Sequence, residues 1–361
     1  VGRQIALRMP TIFHAYKLWI DGHLLAEVGQ VGTDKDSTVP RLVTRFVTFQ
    51  PTADEAEIVI QVANFHHAMG GITKYIEIGD RDALWKKTIL KYIVELFLTS
   101  SLFIIGVYHL LLYLQRRKDK APLFFGLFTL GWSLRSLVVG ELHLTQMFPE
   151  FPWELQLKIE YLVFYGGLFF FTMYFDSLFK EETPRWLRTV AGTAAFVFSL
   201  LVIVTPAKMY SQTLVAYELI VTGHMFIFVH ALLLAIKRRK EGGVVFFVVS
   251  MILAAAVLND FLYYNGWVLF GSFSVLGLFI FTFAQMYLLS SRFVRAEADV
   301  EKTAQQLAVA NNKLLELNEN LEHIVHERTH ELKLANDQLR QAYDRLLNAE
   351  SGRKKLLSYI S

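Results

Sequence analysis

The chain has 361 residues, of which 53% are hydrophobic and 14% aromatic, and its formal net charge is +3. It contains no cysteine, which excludes disulfides, thiolate metal sites and cysteine nucleophiles. Its basic residues lie beside apolar stretches and form no basic face on a polar domain, so no nucleic-acid partner is expected. The chain begins at Val1 without a signal-peptide pattern, and we interpret it as a fragment that starts inside a domain.

Residues 1–87 alternate apolar and polar side chains, as strands with one buried face do. The clearest runs are 5–9, 16–20, 58–62 and 76–78. The pair Asp21-Gly22, which follows the second run, is a common hairpin turn. These patterns predict an antiparallel β domain, a sandwich that lacks its first strands.

The same region resembles the sugar-binding-like jelly roll found outside a family of bacterial seven-span receptors. The residues that carry the resemblance are 16–23 (Tyr-Lys-Leu-Trp-Ile-Asp-Gly-His), 28–32, 62–67 (Val-Ala-Asn-Phe-His-His) and 70–71. The resemblance implies a carbohydrate ligand, with Asn64, His66 and His67 as candidate ligand-binding residues. In the structural alternative, Asn64 holds a turn and the histidines face solvent. Adjacent residues of a strand point to opposite faces, so the two histidines are not expected to share a metal.

Seven apolar stretches follow, each long enough as a helix to cross a hydrocarbon layer of about 30 Å. They are residues 88–114, 121–139, 153–175, 190–205, 214–236, 244–264 and 269–290. They predict a seven-helix transmembrane bundle over residues 88–292. An odd number of spans places the two ends of the chain on opposite sides of the membrane.

Charge in the loops predicts the orientation. The loops after the first, third and fifth spans hold 4, 3 and 4 Lys or Arg residues, and those after the second, fourth and sixth hold 0, 1 and 0. The uncharged loop after the sixth span contains residues 265–267. Because basic loops stay in the cytoplasm, residues 1–87 are expected outside and residues after 292 inside.

Several ionisable side chains fall within the predicted spans. A charge in lipid costs at least ~2.5 kcal/mol, so such residues normally face the bundle interior and form pairs. Arg135 together with Glu160 or Asp260 would make a neutral cluster that could bind a polar ligand. The alternatives are a structural ion pair, or side chains whose charged ends reach water. Others in the spans are Lys158, Glu218 and His224.

Two other membrane functions are disfavoured. A transporter is expected to have repeated halves with paired Gly or Pro in broken helices, and the sixth span contains neither residue between 244 and 264. A retinal pigment would need a lysine deep in the seventh span, and residues 269–290 contain none.

From residue 293 onward, apolar residues recur every seven positions. One row is Val300, Leu307, Leu314 and Leu321, and after a four-residue slip the next is Val325, Leu332, Leu339 and Leu346. The intervening residues are mostly polar. This pattern predicts a parallel homodimeric coiled coil over residues 293–350 with a stutter near 321–325. Such a junction has two close packings and can relay a small shift.

Two segments of this region resemble known signalling sequences. Residues 321–332, which include Glu327-Arg328-Thr329-His330-Glu331-Leu332, resemble a linker that precedes output domains in bacterial signalling proteins. Residues 351–361 resemble the start of the dimerisation helix of sensor histidine kinases, where such a run leads into the phosphoacceptor His. The resemblance implies that the chain stops just before that histidine.

The fold class predicted is a mainly α membrane protein with an incomplete N-terminal β-sandwich, a seven-helix bundle and a C-terminal parallel coiled coil. The whole pattern resembles the bacterial seven-transmembrane receptors with diverse intracellular signalling modules, of sensor histidine kinase type. The resemblance implies an unknown extracytoplasmic ligand, a response regulator as partner, and ATP and Mg in a downstream kinase domain. For this chain no catalytic residue, cofactor or metal is predicted. The alternatives are a receptor that feeds a diguanylate cyclase and a non-enzymatic membrane adaptor.

Overall fold

The computed structural model describes residues 4–72, 75–264 and 273–360. The chain divides into two compact units, Val1–Ser290 and Ser291–Ser361. The predicted loop at 265–267 and the predicted start of the seventh span at Leu269 lie outside the described residues.

Six described strands form the N-terminal part of the first unit. They are β1 (Ile5–Met9), β2 (Ala15–Ile20), β3 (His23–Val28), β4 (Arg45–Phe49), β5 (Ile58–Ala63) and β6 (Glu77–Asp80). They make two three-stranded sheets, ordered β4-β1-β6 and β3-β2-β5. Every pairing among the described strands is antiparallel, so the predicted antiparallel strands are confirmed.

The turn between β2 and β3 is the predicted two-residue hairpin. Asp21 and Gly22 both have positive φ, 49° and 77°, which fits the right-handed twist of the flanking strands. Glycine tolerates this conformation without a steric penalty, and aspartate is among the residues that tolerate it best.

One buried cluster takes side chains from both sheets. Met9 and Val47 come from the first sheet, and Tyr16, Leu18 and Val28 come from the second. The apolar positions of the alternating sequence pattern thus lie on the buried faces of the two sheets. Two sheets are established, and their closure into a sandwich stays a prediction.

Nine α-helices follow within the described residues, and seven of these are long and apolar enough to cross a membrane. They are α1 (Arg81–Gln115), α2 (Ala121–Val138), α3 (His143–Met147), α4 (Trp153–Leu178), α5 (Arg185–Val204), α6 (Ala207–Tyr210), α7 (Leu214–Lys237), α8 (Gly243–Tyr264) and α9 (Ser274–Ile360). The seven predicted spans are therefore confirmed as helices. The short helices α3 and α6 were not predicted.

Helix α1 begins earlier than the predicted residue 88. Asp80, the last residue of β6, accepts hydrogen bonds from the backbone N–H groups of Asp82 and Ala83, both at 3.1 Å. A side-chain cap of this kind satisfies donors that the first turn leaves open. The strand therefore passes into the helix with no intervening residue.

Helices α1 and α2 pack closely because glycines face each other. A Cβ on Gly126 would lie 3.0 Å from the carbonyl oxygen of Gly106, and a Cβ on Gly106 would lie 2.6 Å from Cγ of Leu130. Any larger residue at Gly106 would force these helices apart.

The second unit is helical throughout its described residues, 291–360. Its apolar rows are exposed; Leu307 is 70% and Leu332 is 71% accessible. The predicted helix is confirmed, and its pairing into a coiled coil stays a prediction.

Candidate functional site

The β domain contacts the bundle at one end, through the segments that follow α2 and precede α4. Thr11 donates to the carbonyl of Gly140 across 3.3 Å. The indole Nε1 of Trp153, the first residue of α4, donates to the carbonyl of Phe13 across 3.1 Å. The β domain thus lies at the end of the bundle whose loops carry few basic residues.

A network of ion pairs crosses this contact. Arg8 on β1 lies opposite Glu77 on β6, and its Nη1 is 2.9 Å from Glu77 Oε1. The other terminal nitrogen of the guanidinium group, Nη2, donates to the carboxylate of Glu141, which follows α2. Lys91 on α1 also pairs with Glu141, at 2.8 Å. One carboxylate therefore joins a strand of the β domain to the first span.

The backbone around Glu141 explains how its side chain reaches this position. Gly140 has φ +74° and Leu142 has φ +57°, so two left-handed residues flank it. A Cβ on Gly140 would lie 2.8 Å from Oε2 of Glu95, and the same oxygen accepts the N–H of Glu141 across 3.1 Å. Only glycine combines this φ with so close an approach.

Electrostatics keeps Glu141 ionised although it is only 2% exposed. Burial alone would raise the pKa of its carboxyl, but Lys91 and Arg8 outweigh burial, and the pKa lies below its usual range. The pKa of Glu77 is lowered in the same way, with Lys87 and Arg8 opposing the effect of burial. Buried charges of this kind are stable only while their partners remain in place.

Asn64 occupies a turn just after β5. Its Nδ2 donates to the carbonyls of His67 (2.9 Å) and Met69 (3.0 Å), and its Oδ1 accepts the N–H of His67 across 3.1 Å. This is the structural alternative that the sequence left open for Asn64. A role in ligand binding stays a prediction.

The two adjacent histidines differ from the expectation. His66 and His67 follow the end of β5 at Ala63 and do not belong to a strand, so the opposite-face argument does not apply. His67 is 3% exposed and does not face solvent, because its ring stacks on Phe13 with the ring centroids 4.7 Å apart. His66 is half-buried and lies edge-on to Trp153 at 6.1 Å.

Arg135 and Glu160, two predicted site residues, come together within the bundle. Arg135 Nη2 lies 3.3 Å from Glu160 Oε1. The guanidinium carbon is 5.2 Å from the centroid of the Trp132 ring and 5.9 Å from that of Phe164. Aromatic faces attract a cation at this range, so the rings add to the ion pair.

Asp260, the remaining candidate, lies near the C-terminal end of α8 and contacts the start of α9. Its carboxylate accepts the N–H groups of Phe273 (2.5 Å) and Ser274 (3.0 Å). A carboxylate at a helix N-terminus interacts favourably with the helix dipole. In the structure Asp260 therefore links α8 to the beginning of α9.

The sequence analysis missed the charged network at the contact. Arg8 is a lone charge in an apolar strand, and Lys91 and Glu95 lie one turn apart near the start of a span. Charged residues in apolar segments normally form pairs, so both features could have predicted buried ion pairs from the sequence. What the sequence does not reveal is the shared partner, Glu141, because a loop brings it to these residues.

Comparison with known proteins identifies a family to which much of the chain is similar. A family model described as seven-transmembrane, diverse intracellular signalling, covers residues 91–294, which is more than half of the chain. Neither the curated proteins nor the solved structures gave a significant match.

Proposed function

Since the chain belongs to the seven-transmembrane family with diverse intracellular signalling, we propose that it is the sensing and relay portion of a bacterial sensor histidine kinase. In this proposal an extracytoplasmic stimulus acts on the β domain and biases the bundle. The bundle then shifts the helical segment that follows, which controls autophosphorylation of a downstream histidine.

The observation that carries the proposal is the buried carboxylate of Glu141, which accepts from Arg8 of the β domain and pairs with Lys91 of the first span. A displacement of β1 cannot occur without breaking or moving this pair. The direct passage of β6 into α1 at Asp80 adds a covalent connection. Both features support transmission of force from the β domain to the first span.

The proposed orientation places residues 1–87 outside the bacterial plasma membrane and the C-terminus in the cytoplasm. The β domain contacts the connections after α2 and before α4, which have few basic residues. The opposite loops hold the Lys and Arg clusters expected in the cytoplasm. The contacts of the β domain and the distribution of Lys and Arg among the loops both support an extracytoplasmic β domain.

The proposed output depends on a homodimer. The second unit exposes apolar residues every seven positions, and a lone helix cannot bury them. A parallel pair of these helices would feed a kinase domain that uses ATP and Mg, and a response regulator would accept the phosphoryl group. The stutter near 321–325 would be the point at which the packing changes.

The ligand is proposed only by class. The jelly-roll resemblance favours a carbohydrate, with Asn64, His66 and His67 near the contact between the β domain and the bundle. Arg135, Glu160 and Asp260 are the second candidate set, within the bundle.

Two other functions stay open, and the first of them uses the same linker. The first is the same receptor coupled to a diguanylate cyclase, and the second is a membrane adaptor without enzymatic output. A His-Asp/Glu-x-Arg sequence directly after Ser361 in the gene would favour the kinase. A Gly-Gly-Asp/Glu-Glu-Phe motif further on would favour the cyclase.

The kinase proposal is tested on the full-length protein in membrane vesicles by following phosphoryl transfer from labelled ATP. We expect an acid-labile, base-stable phosphohistidine. Glu141→Gln should change its rate of formation several-fold, because it removes the carboxylate that Arg8 and Lys91 share. The matched control is Glu150→Gln, whose side chain is 94% exposed and pairs with Arg41 at the surface. Absence of phosphohistidine contradicts the kinase; equal rates in both variants contradict the relay through Glu141.

A further inference from the structure

Two buried histidines lie where the β domain meets the bundle, separate from the ion pairs around Glu141. His14 is 1% exposed and His67 is 3% exposed. Their ring centroids are 6.2 Å apart, and His67 stacks on Phe13. We name His14 together with residues 64–69 the histidine latch.

The polar atoms of these rings are poorly satisfied. Both ring nitrogens of His14 are buried, and neither makes a well-aligned hydrogen bond among the described residues, although the backbone of Phe13 and Met69 lies close enough to oppose the effect of burial on the ring. His67 Nδ1 accepts the N–H of Met69 across 3.1 Å, so its proton resides on Nε2, which is buried and has no partner in the described part of the chain. This arrangement holds only neutral rings, because a proton on Nδ1 of His67 would oppose the N–H that it now accepts.

The histidine latch bridges the β domain and the bundle. The N–H of Ala68 donates to Ser211 Oγ across 3.0 Å, on the connection between α6 and α7. His66 packs edge-on against Trp153, which also donates to the carbonyl of Phe13. Displacement of the latch would therefore free one side of the β domain from the bundle.

Among the described residues, no carboxylate raises the pKa of His14 or His67. Burial lowers the pKa of His14 most, the neighbouring His67 lowers it further, and only the backbone of Phe13 and Met69 opposes them. Burial likewise lowers the pKa of His67. The charged groups nearby face His66 instead: Lys35, Asp36, Glu154 and Lys208.

We propose that the histidine latch makes this chain a sensor of protons on the β-domain side of the membrane, opening when His14 and His67 are protonated. The inference names a stimulus for the proposed receptor and in that sense rests on the proposed function. Its physical basis, two buried and poorly hydrogen-bonded rings at the contact between the β domain and the bundle, is independent of the output.

The direction of the pH effect follows from linkage. The pKa of His14 falls from 6.5 to about 4 when the latch is closed, so the open state binds more protons between these values. The closed state is fully favoured above pH 6.5 and loses its advantage as the pH falls toward 4. Between pH 7 and pH 5, His14 alone should shift the equilibrium toward the open state by roughly 20-fold. Protonation of His67 adds to this shift.

The experiment measures amide hydrogen exchange of the whole chain in lipid nanodiscs at pH 7 and pH 5, corrected for the intrinsic pH dependence of exchange. The amides of His67, Ala68 and Met69 are hydrogen-bonded in the closed latch. We expect their protection to fall by roughly 20-fold or more at pH 5. The amides of β1 and β4 should keep theirs.

Variants assign the effect to the rings. His14→Leu fills the site with an apolar side chain that cannot be protonated, so the latch should stay closed and the pH effect should shrink by roughly 20-fold. His14→Gln is a second neutral replacement should leucine not fit. His23→Leu, at an exposed position at the start of β3, is the matched control and should retain the wild-type response.

Three outcomes would overturn the latch. These are equal protection at both pH values, an unchanged pH effect in the folded His14 variant, and parallel loss of protection in β1 and β4, which means unfolding of the domain. None depends on phosphorylation, so failure of the kinase assay leaves this result standing. Conversely, a pH-insensitive latch leaves the receptor proposal intact.

Discussion

A charge within a span can be stabilised by a carboxylate and by aromatic rings at the same time. Arg135 illustrates this, because it pairs with Glu160 and lies over Trp132 and Phe164. The apolar surroundings of Arg135 predict from sequence that a partner must exist. The sequence cannot choose between Glu160 and Asp260, since that choice depends on how the helices pack.

Reversal of this charge tests whether the pair is needed. Arg135→Glu places two carboxylates side by side in a half-buried site, and we expect a loss of about 2 kcal/mol or more in stability together with loss of signalling. The double variant Arg135→Glu/Glu160→Arg should recover part of both, because the opposite charges are restored. Thermal unfolding in detergent and phosphorylation in vesicles are the two measurements.

The control for this pair is Arg185→Glu, which reverses an exposed arginine at the first position of α5. It should change neither measurement. If all variants had normal stability and normal signalling, the ion pair between Arg135 and Glu160 would be needed for neither.

At the scale of elements, hydrophobic periodicity predicts strands and spans well, and predicts their connections poorly. The seven spans are evident because length and apolarity are properties of the segment itself. Helix α3 has five residues and no repeat to detect, and it begins after Leu142, a left-handed residue. The stretch 62–67 reads like a strand, but Asn64 turns the chain by binding the carbonyls of His67 and Met69.

The element that most needs a partner is the helix of the second unit. Residues 293–361, prepared as a peptide, should sediment as a dimer at high micromolar concentration, since the apolar rows are buried only by association. Leu332→Lys should produce a monomer. His330→Lys, on the opposite side of the helix, should remain dimeric. A monomeric wild-type peptide would contradict the relay through a coiled coil.

For the whole molecule, the position of the β domain agrees with the distribution of charge among the loops. Basic loops and β-domain contacts occupy opposite ends of the same bundle, although they are independent features of the chain. The number of spans and the bias in Lys and Arg predict this arrangement from sequence alone. Contacts such as Arg8 with Glu141, which are 133 positions apart, require the tertiary structure.

The absence of native cysteine makes the orientation directly measurable. A cysteine at Thr33, exposed in the β domain, should react with a membrane-impermeant maleimide on intact cells. A cysteine at Arg117, exposed after the first span, should react only once the cells are opened. The reverse pattern would invert the topology and contradict the positive-inside assignment.

Because β6 continues directly into α1, the length of this junction limits how input domains can be exchanged between receptors. One residue inserted between Asp80 and Arg81 would turn the sheet by about 100° relative to the helix, and a second would turn it by about 200°. A chimera joined here would function only when its inserted length returns to the original angular phase. Functional chimeras should therefore recur at regular intervals of linker length. The number of residues between one functional length and the next would show how rigidly the β domain is coupled to the first span.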